Sequence, residues 1–251
     1  MSADVLVRAR LSSEQSLAVF RAVLLAASRP ARLVTLPEGT APGVPRAAVP
    51  ALALADLDVS VITLGDGPEV ERRWRELIQG VTGCRPCSLA DADLVVALRE
   101  PTPIEITQLP AGSAQAPEHA ARLFVLCRSL ASGVHPDGTR IHVRGPGASA
   151  GRLLTVVGLD GAMFTALAGV NRSFPAGIDC WLVADDGVMA GIPRSAQIDL
   201  VDTPSPQGAS PGAATRGRGT LGVSLSRVAP HERRGASRGA STRGLRGRET
   251  P

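Results

Sequence analysis

The sequence predicts an α/β domain in which a mixed central sheet is flanked by helices. Candidate strands are continuous apolar runs, such as LVVAL at 94–98, and this pattern is typical of strands that are covered on both faces. Segments with helical periodicity alternate with these runs over the first 200 residues. A chain of 251 residues, of which 44% are hydrophobic, is also long enough to bury a core of this kind.

The first amphipathic helix is predicted to begin at Ser12. Ser12 and Gln15 have the spacing of a capping box, and Pro30 ends the apolar periodicity that follows them. Side chains that recur at helical spacing are expected to face the core, which gives the helix one apolar side. In this helix they are Leu17, Phe20, Leu24 and Ala27.

The next elements alternate between strand and helix. RLVTL at 32–36 has the pattern of a strand, and a loop rich in Pro and Gly follows it. PALALADLD predicts a short helix that leads into a strand at 59–64. A further helix is predicted from Pro68 to Gln79, with its end at Gly80.

Strands dominate the second half of the domain. The segments at 91–98, 121–130 and 139–145 are rich in branched apolar residues, and a helical region is expected within 152–170. The last segment, IDCWLVADDGVMAGIP, predicts two strands joined at Asp186-Gly187, because this dipeptide favours a hairpin turn.

The composition changes at residue 203 and predicts a disordered tail over 203–251, after a folded domain at 1–202. The tail consists mainly of Gly, Ser, Pro, Ala and Arg. From Val201 onward, nine arginines face three acidic residues, so the tail carries a net charge of +6 and residues 1–200 carry −2. Only charge supports a role as a nucleic-acid arm, and we interpret the tail as a solvated appendage.

The chain contains no lysine, since all 27 basic residues other than histidine are arginine. A Schiff-base enzyme, a pyridoxal-phosphate enzyme of the usual kind and a P-loop protein each need a lysine amine, which arginine does not replace. We therefore expect no cofactor of that type. No apolar stretch reaches the roughly 20 residues of a membrane span, and the first ten residues lack a signal-peptide pattern, so a cytoplasmic protein is expected.

Neither a metal site nor a catalytic group emerges from the spacing of the polar residues. Cys84 and Cys87 have zinc-knuckle spacing but lack a second close pair, while Cys127 and Cys180 lie singly in apolar runs. Buried free thiols are the simpler interpretation. The histidines at 119, 135 and 142 are isolated, so no metal ligand set is predicted and the catalytic residues stay unassigned.

One segment could bind phosphate. RGPGASAG at 144–151 is rich in glycine and follows a predicted strand, and Gly145 and Gly147 could expose backbone donors. The spacing to Gly151 is one residue too long for a dinucleotide fingerprint, and an ordinary turn remains the alternative. Nearby arginines could bind phosphate in a bidentate manner or could simply form surface ion pairs. These arginines are Arg144, Arg152, Arg172 and Arg194.

Six segments in fixed order resemble the H subunit of the bacterial carbon–phosphorus lyase system, the PhnH family, over residues 8–200. They are FRAVLLAASRPARLVTLP, ALALADLDVSVITL, VTGCRPCSLADADLVVAL, AGSAQAPEHAARLFVLC, IHVRGPG and NRSFPAGIDCWLV with AGIPRSAQI. The positions that match family motifs and are expected to have structural roles are Arg29, Pro30, Asp58, Pro117, Glu118, Phe174, Pro175, Gly177, Asp179 and Pro193. Ala31, His119, Ala120, Ser195 and Ala196 depart from the family pattern.

This resemblance implies a fold similar to the pyridoxal-phosphate-dependent transferases, without the cofactor and its lysine. It implies an accessory subunit that joins the G, I and J subunits (PhnG, PhnI and PhnJ) and that forms a homodimer when isolated. That complex supports formation of α-D-ribose 1-alkylphosphonate 5-triphosphate from a nucleoside triphosphate and an alkylphosphonate. The alternative hypothesis is a stand-alone protein that binds phosphate or nucleotide through the arginines and the glycine-rich turn.

Overall fold

The computed structural model describes residues 3–201, which fold as an α/β structure with two sheets and six α-helices. The tail predicted at 203–251 lies outside the described residues. None of the helices in the described part is long and apolar enough to cross a membrane. The predicted α/β class with a mixed sheet is confirmed.

The helices and strands alternate along the first half of the chain, and strands prevail in the second. The helices are α1 (Ala3–Ala9), α2 (Ser13–Ser28), α3 (Val49–Leu54), α4 (Pro68–Thr82), α5 (Pro103–Gln108) and α6 (Gly161–Val170). The strands are β1 (Leu33–Thr35), β2 (Ser60–Leu64), β3 (Arg85–Pro86), β4 (Leu94–Ala97), β5 (Arg122–Cys127), β6 (Ser129–Ser132), β7 (Thr139–Gly145), β8 (Ala148–Val157), β9 (Asp179–Ala184), β10 (Val188–Ile192) and β11 (Gln197–Leu200).

The central sheet has seven strands in the order β1-β10-β9-β5-β4-β2-β3. Strands β3, β2, β4, β5 and β9 run parallel to their neighbours, whereas β10 and β1 are added antiparallel at one end. The β9–β10 hairpin turns at Asp186-Gly187, where the Asp186 carboxylate accepts a hydrogen bond from the Val188 N–H, and the predicted hairpin is confirmed.

Both faces of this sheet are covered, which explains why its strands are continuous apolar runs. On one face, Val96 and Phe124 pack with Val19 of α2 and Leu77 of α4 in one apolar cluster. The neighbouring residues on the same strands point to the other face and belong to a second cluster with α5, α6 and the smaller sheet. That face includes Val95, Leu123, Ile106, Phe164, Leu167 and Ile141.

A second sheet of four antiparallel strands, in the order β11-β7-β8-β6, was not predicted. The apolar run at 121–130 breaks at Arg128, so that β5 joins the central sheet and β6 joins the second one. The helical region expected within 152–170 is confirmed only at Gly161–Val170. Residues up to Val157 form β8 because they pair along β7 and β6.

Helix α2 begins as predicted but buries a different face. The Ser12 hydroxyl accepts a hydrogen bond from the Gln15 N–H, and the Gln15 side chain accepts one from the Ser12 N–H. Its buried residues are Val19, Ala22, Val23 and Ala26. The side chains expected to face the core are wrongly assigned: Leu17, Phe20 and Leu24 are exposed, and Ala27 is only half-buried.

Helix α4 also runs further than predicted. It continues past Gly80 to Thr82, and Gly83 is its C-cap. The Gly83 N–H donates to the Gln79 carbonyl. Gly80 therefore lies within the last turn of the helix instead of ending it.

Candidate functional site

The glycine-rich segment at 144–151 connects two antiparallel strands. Residues 145–148 form the turn between β7 and β8, so the segment leads into a strand and no helix N-terminus follows it. Gly147 has φ of +81°, and a Cβ at this position would lie 2.3 Å from the Ser28 carbonyl oxygen. The turn therefore requires glycine at 147 in order to lie against the end of α2. This geometry differs from a phosphate cradle, in which a helix N-terminus aims its free N–H groups at the anion.

The arginines near this turn contact other parts of the chain. The Arg152 guanidinium donates to the Pro30 carbonyl at 2.7 Å, which joins β8 to the segment after Arg29. Arg144 pairs with Asp199 at 2.9 Å, and both side chains are about half exposed. Arg144 thus joins β7 to β11 within the second sheet, and Arg152 joins that sheet to the end of α2.

A network of side-chain hydrogen bonds joins Asp179 to Arg194. The Asp179 carboxylate accepts from the Arg194 N–H at 2.8 Å, from its Nε at 3.1 Å and from its Nη2 at 2.5 Å. The Arg194 Nη1 also donates to the carbonyl of Pro117, which precedes the exposed Glu118. Because the Arg194 and Asp179 side chains are only 14% and 22% exposed, this pair fixes the chain after Pro193 with little freedom.

A second network closes the loop before β9. Asn171 follows α6, and its side chain donates to the Ile178 carbonyl and accepts from the Ile178 N–H. Gly177 has φ of +144°, and a Cβ there would lie 2.7 Å from the Asn171 Oδ1. The cis peptide bond joins Phe174 to Pro175 in this same loop. Any side chain at 177 would therefore disturb the Asn171 contacts.

The two networks border a cleft of about 500 Å³ between the end of α6 and β11. Arg172, Phe174 and Arg194 line it, together with Gln197 and Asp199 from β11. A shallower cavity of about 340 Å³ lies beside it, and Phe174 and Arg194 line both. Of the residues predicted to bind phosphate, Arg172 and Arg194 line this cleft, while Arg144, Arg152, Gly145 and Gly147 do not.

Asp58 lies away from this cleft, at the turn before β2. Its N–H donates to the Asp56 carboxylate at 2.9 Å, and its carbonyl accepts from the Arg85 Nη2 at 2.5 Å. These bonds join the turn to β3. Asp58 therefore has contacts that order the edge of the central sheet.

The polar side chains that line the cleft are mainly hydrogen-bond donors. Its lining contains one carboxylate, Asp199, which is already paired with Arg144, and it includes no histidine or cysteine. The cysteines lie elsewhere, and burial raises the pKa of each thiol, that of Cys127 to about 12. Protonated thiols are poor nucleophiles. The carboxylate of the cleft is engaged by Arg144, so Arg172 and Arg194 suit the cleft to bind an anion.

Comparison with known protein families identifies the chain's relatives. Residues 10–199 match the model of a family described as bacterial phosphonate metabolism protein (PhnH). The chain belongs to the PhnH family. No curated protein matches it at a significant level. Membership of the PhnH family implies involvement in phosphonate metabolism, and the match spans both sheets and the cleft.

Five positions in the quoted PhnH segments lie in one corner of the structure, whereas Asp58 lies away from it. Phe174, Gly177, Asp179 and Arg194 belong to the networks beside the cleft, and Pro117 joins them through its carbonyl. Ser195, which departs from the family pattern, also lines the cleft, and sequence reasoning missed Gln197, whose only signal is its place in the segment AGIPRSAQI. The sequence also gave no sign that the Asn171 side chain would bond the backbone of Ile178 and so order the loop before β9.

Proposed function

We propose that this chain is an accessory subunit of the carbon–phosphorus lyase core complex, acting in the cytoplasm. In this role it supports formation of α-D-ribose 1-alkylphosphonate 5-triphosphate from a nucleoside triphosphate and an alkylphosphonate, and the chemical steps take place on other subunits. Membership of the PhnH family supports the pathway. The seven-stranded mixed sheet and the lack of lysine accord with a transferase-like fold that holds no pyridoxal phosphate.

The observation that carries the proposal is the outer face of α2. We define this face by four exposed side chains, Leu17 (47%), Phe20 (41%), Leu24 (51%) and Leu25 (42%). A surface helix normally presents polar residues to solvent on the side opposite the core. The outer side of α2 carries these four apolar side chains beside the exposed Glu14 and Arg21, and a group of exposed apolar side chains flanked by polar residues is typical of a protein–protein interface.

The α2 outer face is large enough to form the centre of an interface. The exposed parts of its four side chains amount to roughly 300 Å², which corresponds to about 8 kcal/mol of transfer free energy at ~25 cal/mol per Å². This offsets a large part of the association cost of about 4–15 kcal/mol. A stable interface buries about 800 Å² on each partner, so residues around α2 must contribute the remainder.

The partners that we propose for this face are the other core subunits, G, I or J (PhnG, PhnI and PhnJ). When they are absent, we expect the same face to pair two copies of this chain. Glu14 and Arg21 are both exposed and lie seven residues apart on α2. An antiparallel pairing centred between Leu17 and Ala18 would therefore bring Glu14 of one copy close to Arg21 of the other, which favours a symmetric dimer.

Co-purification tests the interface. A tagged chain is co-expressed with the G, I and J subunits, and the double variant Phe20→Glu/Leu24→Glu is compared with Ile104→Glu. Ile104 is 68% exposed but lies on α5, on the opposite face of the central sheet. We expect the α2 variant to retain at least about ten-fold less of the partner subunits, because charges at the centre of an interface are not solvated.

The same variants give a second measurement and a control. In isolation, the α2 variant should elute as a monomer in size-exclusion chromatography with light scattering, and the wild-type chain and Ile104→Glu should elute as dimers. The changed side chains are exposed, so thermal unfolding should occur at a similar temperature in all three proteins. Normal recovery of partner subunits with the α2 variant would contradict the proposed interface.

A further inference from the structure

The cleft between α6 and β11 contains hydrogen-bond donors that no contact within residues 3–201 uses. Arg172, in the turn after α6, is exposed and makes no ion pair with any described residue. Arg194 uses three of its five side-chain N–H groups on Asp179 and Pro117, which leaves two for a ligand.

The wall formed by β11 and the chain before it adds neutral donors. The Ser195 hydroxyl and the Gln197 amide line the cleft and make no hydrogen bond to the part of the chain that the structure describes. Arg194 is balanced by Asp179, and Arg144 is balanced by Asp199. The charge of Arg172 is thus left over, and the cleft has a net positive charge that suits an anion.

The position of Arg172 has a simpler explanation, which accounts for only part of the site. A cation just after the end of a helix interacts favourably with the helix dipole. That effect explains an arginine after α6, but it requires neither a cleft nor unused donors on the opposite wall. The negative end of the helix dipole also partly cancels the field of Arg172 at the ligand, so we expect a modest affinity.

An aromatic ring completes the site. Phe174 is 63% exposed on the wall of the cleft, although phenylalanine is usually buried. Exposed aromatic rings provide a flat apolar surface on which a heteroaromatic ring can stack. The cleft volume of about 500 Å³ lies within the range that accommodates a small organic ligand.

We propose that this cleft binds a nucleoside phosphate, with the phosphate on Arg172 and the unused N–H groups of Arg194 and with the base on Phe174. Inorganic phosphate would engage only the arginine end, and an uncharged nucleoside only the ring. The proposal goes beyond a role in complex assembly, because the site is contained in one chain and lies on the face of the sheet opposite α2.

Calorimetry on the full-length chain tests the cleft with four probes: ATP, adenosine, inorganic phosphate and methylphosphonate. The matched variants are Arg172→Gln and Arg73→Gln, which remove the same charge. Arg73 lies on α4, across the central sheet, where it packs over Trp74. Both variants keep the arginines of the C-terminal tail, so non-specific attraction of anions to the tail is the same in both.

The expected result is saturable binding of ATP that Arg172→Gln weakens by about ten-fold or more, because a charge-assisted hydrogen bond is lost. Arg73→Gln should leave the affinity within about two-fold. Phe174→Leu should weaken binding of ATP and leave that of inorganic phosphate unchanged.

Three results would overturn the proposal. They are the absence of saturable heat with ATP, an equal loss of affinity in Arg172→Gln and Arg73→Gln, or an affinity for adenosine, phosphate or methylphosphonate that equals the affinity for ATP. None of these bears on whether the α2 outer face recruits partner subunits, so failure of one proposal is distinguishable from failure of the other.

Discussion

Asp179 and Arg194 form the least exposed ion pair beside the cleft. The carboxylate accepts one backbone and two side-chain N–H groups, and both side chains are largely withdrawn from water. A charge that loses its partner in such surroundings keeps its desolvation cost, which makes truncation of one member destabilising. The pair therefore holds the chain between β10 and β11 in place.

Truncation of Arg194 should reveal this role. We expect Arg194→Ala to lower the free energy of unfolding by about 2–3 kcal/mol, somewhat less than for a fully buried pair because some water reaches both groups. Arg144→Ala removes a pair whose side chains are about half exposed and should cost no more than ~0.5 kcal/mol. Urea unfolding at neutral pH measures both, and equal losses would contradict the distinction.

These pairings could not be read from the sequence, although the residues themselves stood out. Asp179 and Arg194 lie in recognisable motifs, but a motif does not state which groups meet. Arg194 reaches Pro117, 77 positions away, and Arg152 reaches Pro30, 122 positions away. Contacts at such separation depend on how the strands are ordered in the sheets, which local patterns do not encode.

Helix α2 shows where periodicity fails within one element. Its capping box fixed the start correctly, because capping depends on residues only three positions apart. Apolar residues occur on both sides of the helix, so the periodic pattern did not distinguish the core face from the outer face. The side chains that were expected in the core instead form an apolar surface that is exposed to solvent.

The turn at 145–148 and strand β8 show a similar limit. Glycine and small residues at 147–151 predict a loop equally well before a helix or between two strands. Only the pairing of β8 with β7 and β6 decides between these outcomes. Sequence reasoning therefore located the turn, while the phosphate geometry expected around it depended on an element that is in fact a strand.

The cap of α5 gives a pH-dependent prediction. Glu105 pairs with Arg99 at 2.6 Å and also accepts hydrogen bonds from Thr102, and these contacts, with Arg99 the largest cause, lower the pKa of Glu105 to about 2. A carboxyl group whose pKa is lower in the folded state stabilises the fold above its unfolded pKa of about 4.5, and that contribution is lost as the pH falls towards 2.

We therefore expect Glu105→Gln to destabilise the chain at pH 7 and the difference from wild type to shrink between pH 4.5 and 2. Glu76→Gln removes the charge from an exposed pair with Arg72 and should show a much smaller effect at every pH. Denaturant unfolding over this pH range measures both variants. A difference that stays constant down to pH 2.5 would show that the ion pair does not cause the stabilisation.

The α2 outer face and the cleft lie on opposite sides of the central sheet. The α2 outer face lies on one side of the seven-stranded sheet, and the donor-lined cleft lies on the side of α6 and the second sheet. Such an arrangement allows a partner to dock on α2 while the cleft stays open. This separation is consistent with the subunit role and the ligand site that we propose.

Growth on a phosphonate tests this account most directly. The gene for this chain is deleted from its host. The deletion strain is complemented with the wild-type gene, with Phe20→Glu/Leu24→Glu or with Ile104→Glu. Each strain is then grown on methylphosphonate or on phosphate as sole phosphorus source. The deletion strain should grow on phosphate and fail on methylphosphonate, and wild type and Ile104→Glu should restore growth where the α2 variant does not. Growth of the deletion strain on methylphosphonate at the parental rate would contradict the proposed function.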